Sequence, residues 1–252
     1  MRVIVTWDYD DMSRQGASIV ADRIRRKPDL VLGLATGTTM VGLYREVVEL
    51  YRRGLLDMAE VTTFNLDEYV GLNPQDPRSF RYFMQEHLFG KTNIDPRRIH
   101  LLPSQLNPQD AEQVAADYEK EIEKAGGIDL QILGLGRNGH IGFNEPGAPL
   151  ESRTRVVDLD RETVEINSQP FLPLRVPRQS ITMGIKTIMR AKEILLLASG
   201  AEKALALARA LEGPVTPEVP ASVLQLHPAV TVVADREAAS HLNSSLCQVR
   251  VG

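Results

Sequence analysis

The strongest constraint on the fold is a regular alternation of short apolar runs, rich in β-branched residues, with longer amphipathic stretches. Apolar runs bounded by turn signals predict buried strands, and apolar residues at helical spacing predict helices that cover them. The predicted strands are Arg2–Thr6, Leu30–Leu34, Val61–Asn65, Leu130–Leu135, Glu193–Ala198 and Val230–Ala234. The predicted helices are Asp11–Arg26, a helix striped by Met40, Leu43, Tyr44, Val47 and Tyr51, and then Ser79–Phe89, Asp110–Lys124, Glu202–Leu211 and Arg236–Leu246.

Strands that alternate with helices pair in parallel through right-handed connections, and the helices then cover both faces of the sheet. We therefore predict an α/β fold, a Rossmann-like three-layer α/β/α arrangement with a mostly parallel central sheet. No linker-like or low-complexity segment interrupts the alternation, so residues 1–252 are expected to form a single domain. The proline-rich stretch Pro170–Pro177 predicts either a lid at about 160–179 or a plain crossover connection, with neither favoured.

Composition excludes several classes of function. The formal net charge of −4 argues against a nucleic-acid-binding surface, and the chain contains no polybasic stretch and no apolar run of membrane-spanning length. Cys247 is the only cysteine, so neither an intrachain disulfide nor a thiolate zinc cluster can form. The apolar run near Met1 is too short for a signal peptide, and we therefore expect a cytoplasmic protein that does not bind membranes.

A glycine-rich turn follows the predicted strand Leu130–Leu135 and carries polar groups suited to catalysis. Residues 132–146 read Ile-Leu-Gly-Leu-Gly-Arg-Asn-Gly-His-Ile-Gly-Phe-Asn-Glu-Pro, so that four glycines interleave Asn138, His140 and Glu145. Active sites of open α/β sheets lie beyond the carboxyl ends of their strands, and glycine lets a ligand approach the backbone. A histidine and a carboxylate on such a turn predict proton transfer near neutral pH.

A second segment, Leu-Gly-Leu-Ala-Thr-Gly-Thr-Thr at 32–39, joins a predicted strand to a predicted helix. The N–H groups at a helix N-terminus are unpaired and favour an anion. Thr36, Thr38 and Thr39 add hydroxyl donors, and Gly37 leaves the backbone room. These features predict a monophosphate site, because a P-loop lysine and the G-x-G-x-x-G pattern of dinucleotide sites are both missing. Taken alone, the segment is more often a helix capped by threonine.

A third segment, Thr-Phe-Asn-Leu-Asp-Glu-Tyr at 63–69, places two adjacent carboxylates just beyond a predicted strand. In an apolar cleft, either Asp67 or Glu68 would have a raised pKa and could serve as a base. Taken alone, the segment is more often one in which Asp67 caps the next turn and Glu68 faces solvent.

Metal and serine-hydrolase chemistry are disfavoured. His140 and Glu145 do not have the i, i+4 spacing of a helical metal pair, no third ligand lies nearby, and the chain has no G-x-S-x-G elbow. The three segments all follow strands of one parallel sheet, so their loops are expected to meet at one edge. An anion cradle, a carboxylate base and a histidine–carboxylate pair together fit a sugar phosphate that undergoes proton transfer next to a carbonyl.

With these motifs the chain resembles the glucosamine-6-phosphate deaminase family, also described as glucosamine/galactosamine-6-phosphate isomerases. The wider group includes 6-phosphogluconolactonase and ribose-5-phosphate isomerase. The resemblance covers nearly the whole chain in order, and segments 63–72 and 136–146 are its most specific parts. The other segments that carry it are 32–39, Ser-Arg-Thr-Arg (152–155), Ile-Thr-Met-Gly-Ile (181–185), Lys-Ala-Leu-Ala-Leu (203–207) and Ala-Ser-Val-Leu-Gln-Leu-His (221–227).

The resemblance implies conversion of glucosamine 6-phosphate and water to fructose 6-phosphate and ammonia, with no metal or redox cofactor. By position, His140 would open the pyranose ring, and Glu145 and Asn138 would orient and tune its imidazole. Asp67 would take the C2 proton and return it to C1. Many members of the family carry aspartate where this chain has Asn138, and an amide polarises the histidine less strongly.

The same resemblance implies that the substrate phosphate lies on residues 36–39, with Lys203 as a cationic partner. The family usually places an arginine in an Asn-Ser-Arg segment of the lid, and this chain has Gln169 there. Loss of a bidentate phosphate donor should weaken binding or select a different group. Arg175 and Arg178 are candidates to compensate.

Large hexameric members of the family respond to N-acetylglucosamine 6-phosphate at a site between subunits. Arg155 is retained here, but Ala148 and Val157 replace an expected serine and lysine, and the chain stops at Gly252, before a C-terminal tyrosine. We therefore predict hyperbolic, unactivated kinetics and a monomer or small homo-oligomer.

The sequence allows three other functions, and the first of them is the nearest alternative. Gln169 leaves room for another amino-sugar phosphate, such as galactosamine 6-phosphate, as the substrate. A sugar-phosphate-binding regulator without catalysis is less favoured, because the chain has no spare length for a DNA-binding or partner-binding appendage. A lactonase is also disfavoured, since the Phe-Asn-Glu-Pro at 143–146 is not typical of that branch.

Overall fold

The fold is described from a computed structural model that covers residues 1–159, 164 and 177–243, with the backbone alone at 247–250. Most of the predicted lid at 160–179, including Gln169 and Arg175, lies outside the described residues. The strands are β1 (Arg2–Thr6), β2 (Val31–Leu34), β3 (Thr62–Asn65), β4 (Asp67–Tyr69), β5 (Ile99–His100), β6 (Leu130–Gly134), β7 (Arg155–Asp158), β8 (Gln179–Thr182), β9 (Glu193–Ala198), β10 (Val230–Asp235) and β11 (Cys247–Arg250). The α-helices are α1 (Tyr9–Arg26), α2 (Thr38–Arg52), α3 (Phe80–His87), α4 (Ala111–Lys124), α5 (Ile185–Met189) and α6 (Ala204–Glu212).

In the described residues, eight strands form one sheet in the order β11-β1-β10-β9-β6-β2-β3-β5, and each neighbouring pair is parallel. From β2 the chain moves to one side through β3 and β5, and from β6 it moves to the other side through β9 and β10. The strand order therefore reverses between β2 and β6. Ligands of open α/β sheets bind in the crevice outside the carboxyl ends of the strands at such a point.

Helices cover both faces of the central sheet, as predicted. A Cβ built on Gly16 of α1 would lie against Leu43 of α2 and Leu197 of β9, so these two helices pack together on one face. Phe64 of β3 packs edge-on against Tyr118 of α4, with ring centroids 5.6 Å apart. The pairing register places Leu197 and Phe64 on opposite faces, which gives the three-layer arrangement.

A second sheet, antiparallel and in the order β4-β8-β7, was not predicted. Only Leu66 separates β3 from β4, so the chain passes from the central sheet into the small one directly before Asp67. The three strands have three or four residues each, and such short segments give little period-two signal. The small sheet matters for the site because its first residue is a predicted catalytic group.

The predicted helix at 236–246 is wrong in its described part. Residues 236–243 form turns, and the Ser240 hydroxyl donates to the Glu237 carbonyl at 2.7 Å. Serine and asparagine compete in this way with helical hydrogen bonding. The chain then enters β11, which extends the central sheet beside β1.

In the part of the chain that the structure describes, no helix combines the length and the apolar character needed to cross a membrane.

Candidate active site

A cleft of about 1060 Å³ opens at the carboxyl edge of the central sheet, at the point where the strand order reverses. The three loops that were predicted to meet do line it together, at 35–39, 66–69 and 134–143. The loop after β9 forms a fourth wall with Ser199, Gly200 and Lys203. Residues before and within α3, including Arg78 and Phe80, close the side.

Asp67 is the buried carboxyl of this cleft. Its exposed fraction is 8%, and it accepts no hydrogen bond from any of the described residues. Burial raises the pKa of Asp67 to about 8, and the neighbouring charge of Glu68 adds to the shift. A carboxylate with this pKa is a stronger base than an ordinary one, as a group that removes a proton from carbon requires.

Glu68, unlike Asp67, is hydrogen-bonded to the backbone through its side chain. Its carboxylate accepts the backbone N–H groups of Tyr69 at 2.8 Å, Phe80 at 3.0 Å and Arg81 at 2.8 Å. Burial raises the pKa of Glu68, and these three N–H groups oppose the rise. The expectation that Glu68 faces solvent is therefore wrong, because its carboxylate holds the N-terminus of α3. Asp67 is left as the carboxyl available to a ligand.

The glycine-rich turn orients His140 through an amide. The side-chain oxygen of Asn138 lies 2.8 Å from Nδ1 of His140 and also accepts the His140 backbone N–H at 3.2 Å. The Asn138 amide nitrogen donates to Oε2 of Glu145 at 2.9 Å, and that oxygen lies 3.4 Å from Nδ1 of His140. A carboxylate can only accept, so the amide nitrogen must face Glu145 and the amide oxygen must face the ring. In the neutral imidazole the proton therefore lies on Nδ1, and Nε2 has the lone pair of a base.

Two glycines of the turn are needed for this geometry. A Cβ at Gly136 would lie 2.3 Å from Nδ1 of His140, so only glycine leaves room for the ring. Gly142 has φ +57°, and a Cβ built on it would lie 3.6 Å from Oδ2 of Asp67. The turn that carries His140 thus passes directly beside the Asp67 carboxyl.

The loop after β2 forms an open helix N-terminus. The residue before α2 is Gly37, with φ 103°, and no side chain caps the helix, so the alternative of threonine capping is wrong. The backbone N–H groups of Thr38 and Thr39 make no hydrogen bond within the described residues. Unpaired N–H groups at the positive end of a helix dipole form an anion site, and Thr36 lines the cleft beside them.

The first turn of α2 is held by a residue of α1. The Tyr9 hydroxyl accepts the Gly42 N–H at 2.7 Å and donates to the Thr38 carbonyl at 2.9 Å. It therefore joins the donor and acceptor of the first turn of α2. This contact fixes the turn that exposes the N–H groups to the cleft.

Two cations, Lys203 and Arg137, line the same cleft. Lys203 is half-buried, and its ammonium group makes no ion pair or hydrogen bond with the described residues. Burial lowers the pKa of Lys203, the positive charge of Arg137 lowers it further, and Glu202 opposes the change. Like charges held together in a cleft favour binding of an anion such as phosphate.

Sequence reasoning did not assign Arg137, Ser199 or Arg78 to the site. Arg137 lies within the glycine-rich turn, and a cation among the predicted catalytic residues was the signal that could have assigned it to the site. Arg78, which is paired with Asp76, lines the cleft next to α3. Of the two arginines considered as compensation for Gln169, only Arg178 is described, and it is exposed.

In the residues outside the masked stretches, no group of three or more histidine, cysteine or acidic side chains has the arrangement of a metal site.

The known proteins that match the chain agree with this chemistry. A sequence model of the family described as glucosamine-6-phosphate isomerases/6-phosphogluconolactonase matches residues 9–233. The chain is 52% identical over 248 residues to the glucosamine-6-phosphate deaminase 2 of Bacillus subtilis, covering 97% of this chain and 99% of the relative. It is 51% identical over 241 residues to the glucosamine-6-phosphate deaminase of Thermoanaerobacter pseudethanolicus, covering 95% and 94% of the two chains.

Solved structures give the same result for the fold. A monomeric glucosamine-6-phosphate deaminase superimposes with a TM-score of 0.92 at 44% identity, covering 96% of this chain and all of the other. The 6-phosphogluconolactonase of Trypanosoma brucei shares the fold with a TM-score of 0.77 at 21% identity, covering 96% and 99% of the two chains. The chain therefore belongs to the family of glucosamine-6-phosphate isomerases and 6-phosphogluconolactonases.

Proposed function

We propose that this protein is an enzyme that converts glucosamine 6-phosphate and water to fructose 6-phosphate and ammonia. The observation that carries the proposal is the pairing of two different bases in one cleft. Asp67 is buried and unpartnered among the described residues, and it lies beside the turn that holds His140 through Asn138. The relatives at 51% and 52% identity, both named glucosamine-6-phosphate deaminases, support the same reaction.

The phosphate binds at the N-terminus of α2. The free N–H groups of Thr38 and Thr39 and the hydroxyls of the threonines at 36–39, with the backbone of Gly37 beside them, surround its oxygens, and Lys203 supplies a positive charge. Arg137 supplies a second positive charge at the same end of the cleft. The dianion relieves the repulsion between these two cations, which stabilises the complex.

His140 opens the pyranose ring. Its Nε2 accepts the proton of the anomeric hydroxyl and returns it to the ring oxygen, which gives the open-chain aldehyde. During this step the imidazole becomes positively charged, and the Asn138 oxygen and the nearby Glu145 carboxylate stabilise that charge. No net proton is gained or lost by the enzyme.

Asp67 then moves a proton between two carbons. The ionised carboxylate takes the proton from C2 while the aldehyde oxygen gains a proton from the C2 ammonium, which gives an enolamine. Return of the first proton to C1 then gives a protonated imine at C2. Water adds to the imine carbon, and ammonia leaves as the C2 carbonyl of fructose 6-phosphate forms. The substrate ammonium at C2 favours the ionised form of Asp67 when the complex assembles.

The test is to measure ammonia and fructose 6-phosphate released from glucosamine 6-phosphate by the wild-type protein. We expect stoichiometric release of both products, and none above background from Asp67→Asn at the same protein concentration. Galactosamine 6-phosphate is assayed in parallel, and preference for that epimer would contradict the substrate assignment. A protein that binds glucosamine 6-phosphate but releases no ammonia would instead be a sugar-phosphate-binding regulator.

We propose further that residues 1–252 act as one domain, in a monomer or small homo-oligomer, and that the protein is cytoplasmic. A solved relative with 44% identity is a monomeric deaminase, and the single Cys247 suits a reducing compartment. The rate should depend hyperbolically on substrate and not respond to N-acetylglucosamine 6-phosphate. Sedimentation velocity at assay concentration checks the assembly, and a sigmoidal curve abolished by that effector would contradict the kinetics.

A further inference from the structure

A buried carboxylate at the end of β10 has no part in the steps described above. Asp235 is 4% exposed and accepts hydrogen bonds from three groups. The hydroxyl of Ser199 donates to it, as do the backbone N–H groups of Gly200, at 3.1 and 3.2 Å, and of Ala238, at 2.8 Å. In the described part of the chain it has no ion pair with a cation, so its charge is balanced by neutral donors.

These donors belong to the wall of the cleft that carries Lys203. The Gly200 N–H is bound by Asp235, and the Gly200 carbonyl accepts the Lys203 N–H at 3.0 Å. Gly200 has φ +93°, and a Cβ there would lie 2.5 Å from Oε2 of Glu202. Two hydrogen bonds in series therefore connect the carboxylate of Asp235 to the backbone of Lys203.

A carboxylate in this position is costly if it serves stability alone. Burying a charge without a cationic partner is unfavourable, and an apolar residue could fill the end of a strand at lower cost. The next residue, Arg236, does not offset the charge, because its guanidinium carbon lies 3.3 Å from the centroid of the exposed Trp7 ring. The hydrogen bonds of Asp235 instead hold Ser199 and Gly200 in the loop after β9. Both residues line the cleft together with Lys203.

We infer that Asp235 is a positioning residue for the phosphate of the substrate, acting through Ser199 and Gly200 to hold Lys203 in place. The inference rests on the proposed function, because it assigns Lys203 to the phosphate. Release of the loop should let Lys203 turn toward water, since an ammonium group is strongly hydrated. Substrate binding should then weaken while proton transfer by Asp67 and His140 continues in the complexes that do form.

The experiment compares Asp235→Ala and Asp235→Asn with the wild-type enzyme. We expect Asp235→Ala to raise KM for glucosamine 6-phosphate about tenfold with kcat within about threefold, and Asp235→Asn to raise KM by a smaller factor. Asp129→Asn is the matched control, because Asp129 is also a buried carboxylate and pairs with Lys27 and Lys192 at the amino-terminal end of β6, on the opposite side of the sheet from the cleft. The control should lower the melting temperature but leave KM unchanged.

A double-mutant cycle with Lys203→Met separates positioning from a general structural role. If Asp235 acts through Lys203, the Asp235→Asn and Lys203→Met effects on KM are not additive, and the double variant resembles Lys203→Met alone. Additive effects, or an unchanged KM in well-folded Asp235 variants, would overturn the inference. Asp235→Asn carries the test if Asp235→Ala does not fold.

Thermal protection by inorganic phosphate gives a readout that does not need turnover. Phosphate should raise the melting temperature of the wild type and of Asp129→Asn, and should raise that of Asp235→Asn less at the same concentration. Equal protection of all three proteins would contradict the inference. If the wild type releases no ammonia, the proposed function fails, whereas this measurement still decides whether Asp235 supports an anion site.

Discussion

Asp67 and His140 line the same cleft but are held in different ways. Asp67 is almost fully buried, and its carboxyl accepts no hydrogen bond from the described residues. The side chain of His140 is 26% exposed, and its ring is fixed by the amide of Asn138 with Glu145 behind it. Burial without hydrogen-bond donors thus raises the pKa of Asp67. Hydrogen bonds to neighbouring side chains instead orient the ring of His140.

The difference follows from the task proposed for each group. Removal of a proton from carbon needs a strong base, and burial supplies one by raising the pKa of Asp67 to about 8. Proton transfer between two sugar oxygens needs a group in a defined tautomer, and the Asn138 oxygen supplies that by accepting the Nδ1 proton. The same fold provides the strong base and the oriented tautomer, because a buried segment after β3 and a hydrogen-bonded turn after β6 meet at one edge of the sheet.

The largest effect is expected from Asp67→Asn, which keeps the shape and removes the base. The value of kcat should fall about 10³- to 10⁴-fold, within the range for loss of a general base, while binding of the sugar phosphate is retained. Steady-state rates and substrate-dependent thermal shifts measure the two quantities. Asp158→Asn is the control, because Asp158 is an exposed aspartate of the small sheet. Activity of Asp67→Asn within tenfold of wild type would assign the carbon proton to another group.

A smaller loss of activity is expected from His140→Gln, because some open-chain sugar forms without the enzyme. We expect kcat to fall about 10²- to 10³-fold. The variant should keep the pH dependence that belongs to Asp67, since the two groups do not share a hydrogen bond. A rate–pH profile of the variant measures this. If the rise in rate below pH 8 shifts when His140 is replaced, that rise does not belong to Asp67 alone and the separation of the two groups is wrong.

The pH profile of the wild type tests the buried state of Asp67. Because the base must be ionised, kcat/KM should rise about tenfold per pH unit below a pKa near 8 and level off above it.

The stability of the folded protein should change with pH in the opposite direction. The folded protein keeps a proton that the unfolded chain, with an aspartate pKa of 3.8, has lost, so the free energy of unfolding falls as pH rises from about 4 to 8. Asp67→Asn lacks this fall, and urea titrations at several pH values compare the two proteins.

The smallest effect is expected from Asn138→Asp, which alters the groups around His140 and leaves Asp67 unchanged. The new carboxylate would face Glu145 where the amide now donates at 2.9 Å, so the two acids would share a proton. We expect kcat to change by less than about tenfold, while the rise in rate below pH 8 that belongs to Asp67 stays in place. A fall as large as that of His140→Gln would show that the amide itself is required.

The sequence predicted the three loops of the site because each depends on local signals. An apolar run, a glycine and a polar residue within a few positions are enough to place a loop at the end of a strand. The choice between Asp67 and Glu68 could not be made in this way. It depends on the N–H groups of Phe80 and Arg81, which reach Glu68 only when α3 packs against β4.

The errors have similar causes. The stretch 236–246 has apolar residues at helical spacing, but its serines and asparagine favour turns, and the side-chain competition outweighs the periodicity. Asp235 is a single charged residue with no local pattern that separates a cleft wall from a solvated surface. Its hydrogen bonds to Ser199 and Gly200 join strands distant in sequence, which no short window contains.

The position of β1 between β11 and β10 in the central sheet has a consequence for biosynthesis. β1 pairs with β10 on one side, with Arg2 opposite Thr231, and with β11 on the other. At about 5–20 residues per second, the ribosome takes roughly 10–50 s to make these partners after β1 has emerged. During that time a strand of Val-Ile-Val character has both edges open. The nascent chain is therefore expected to depend on chaperones until its last third is complete.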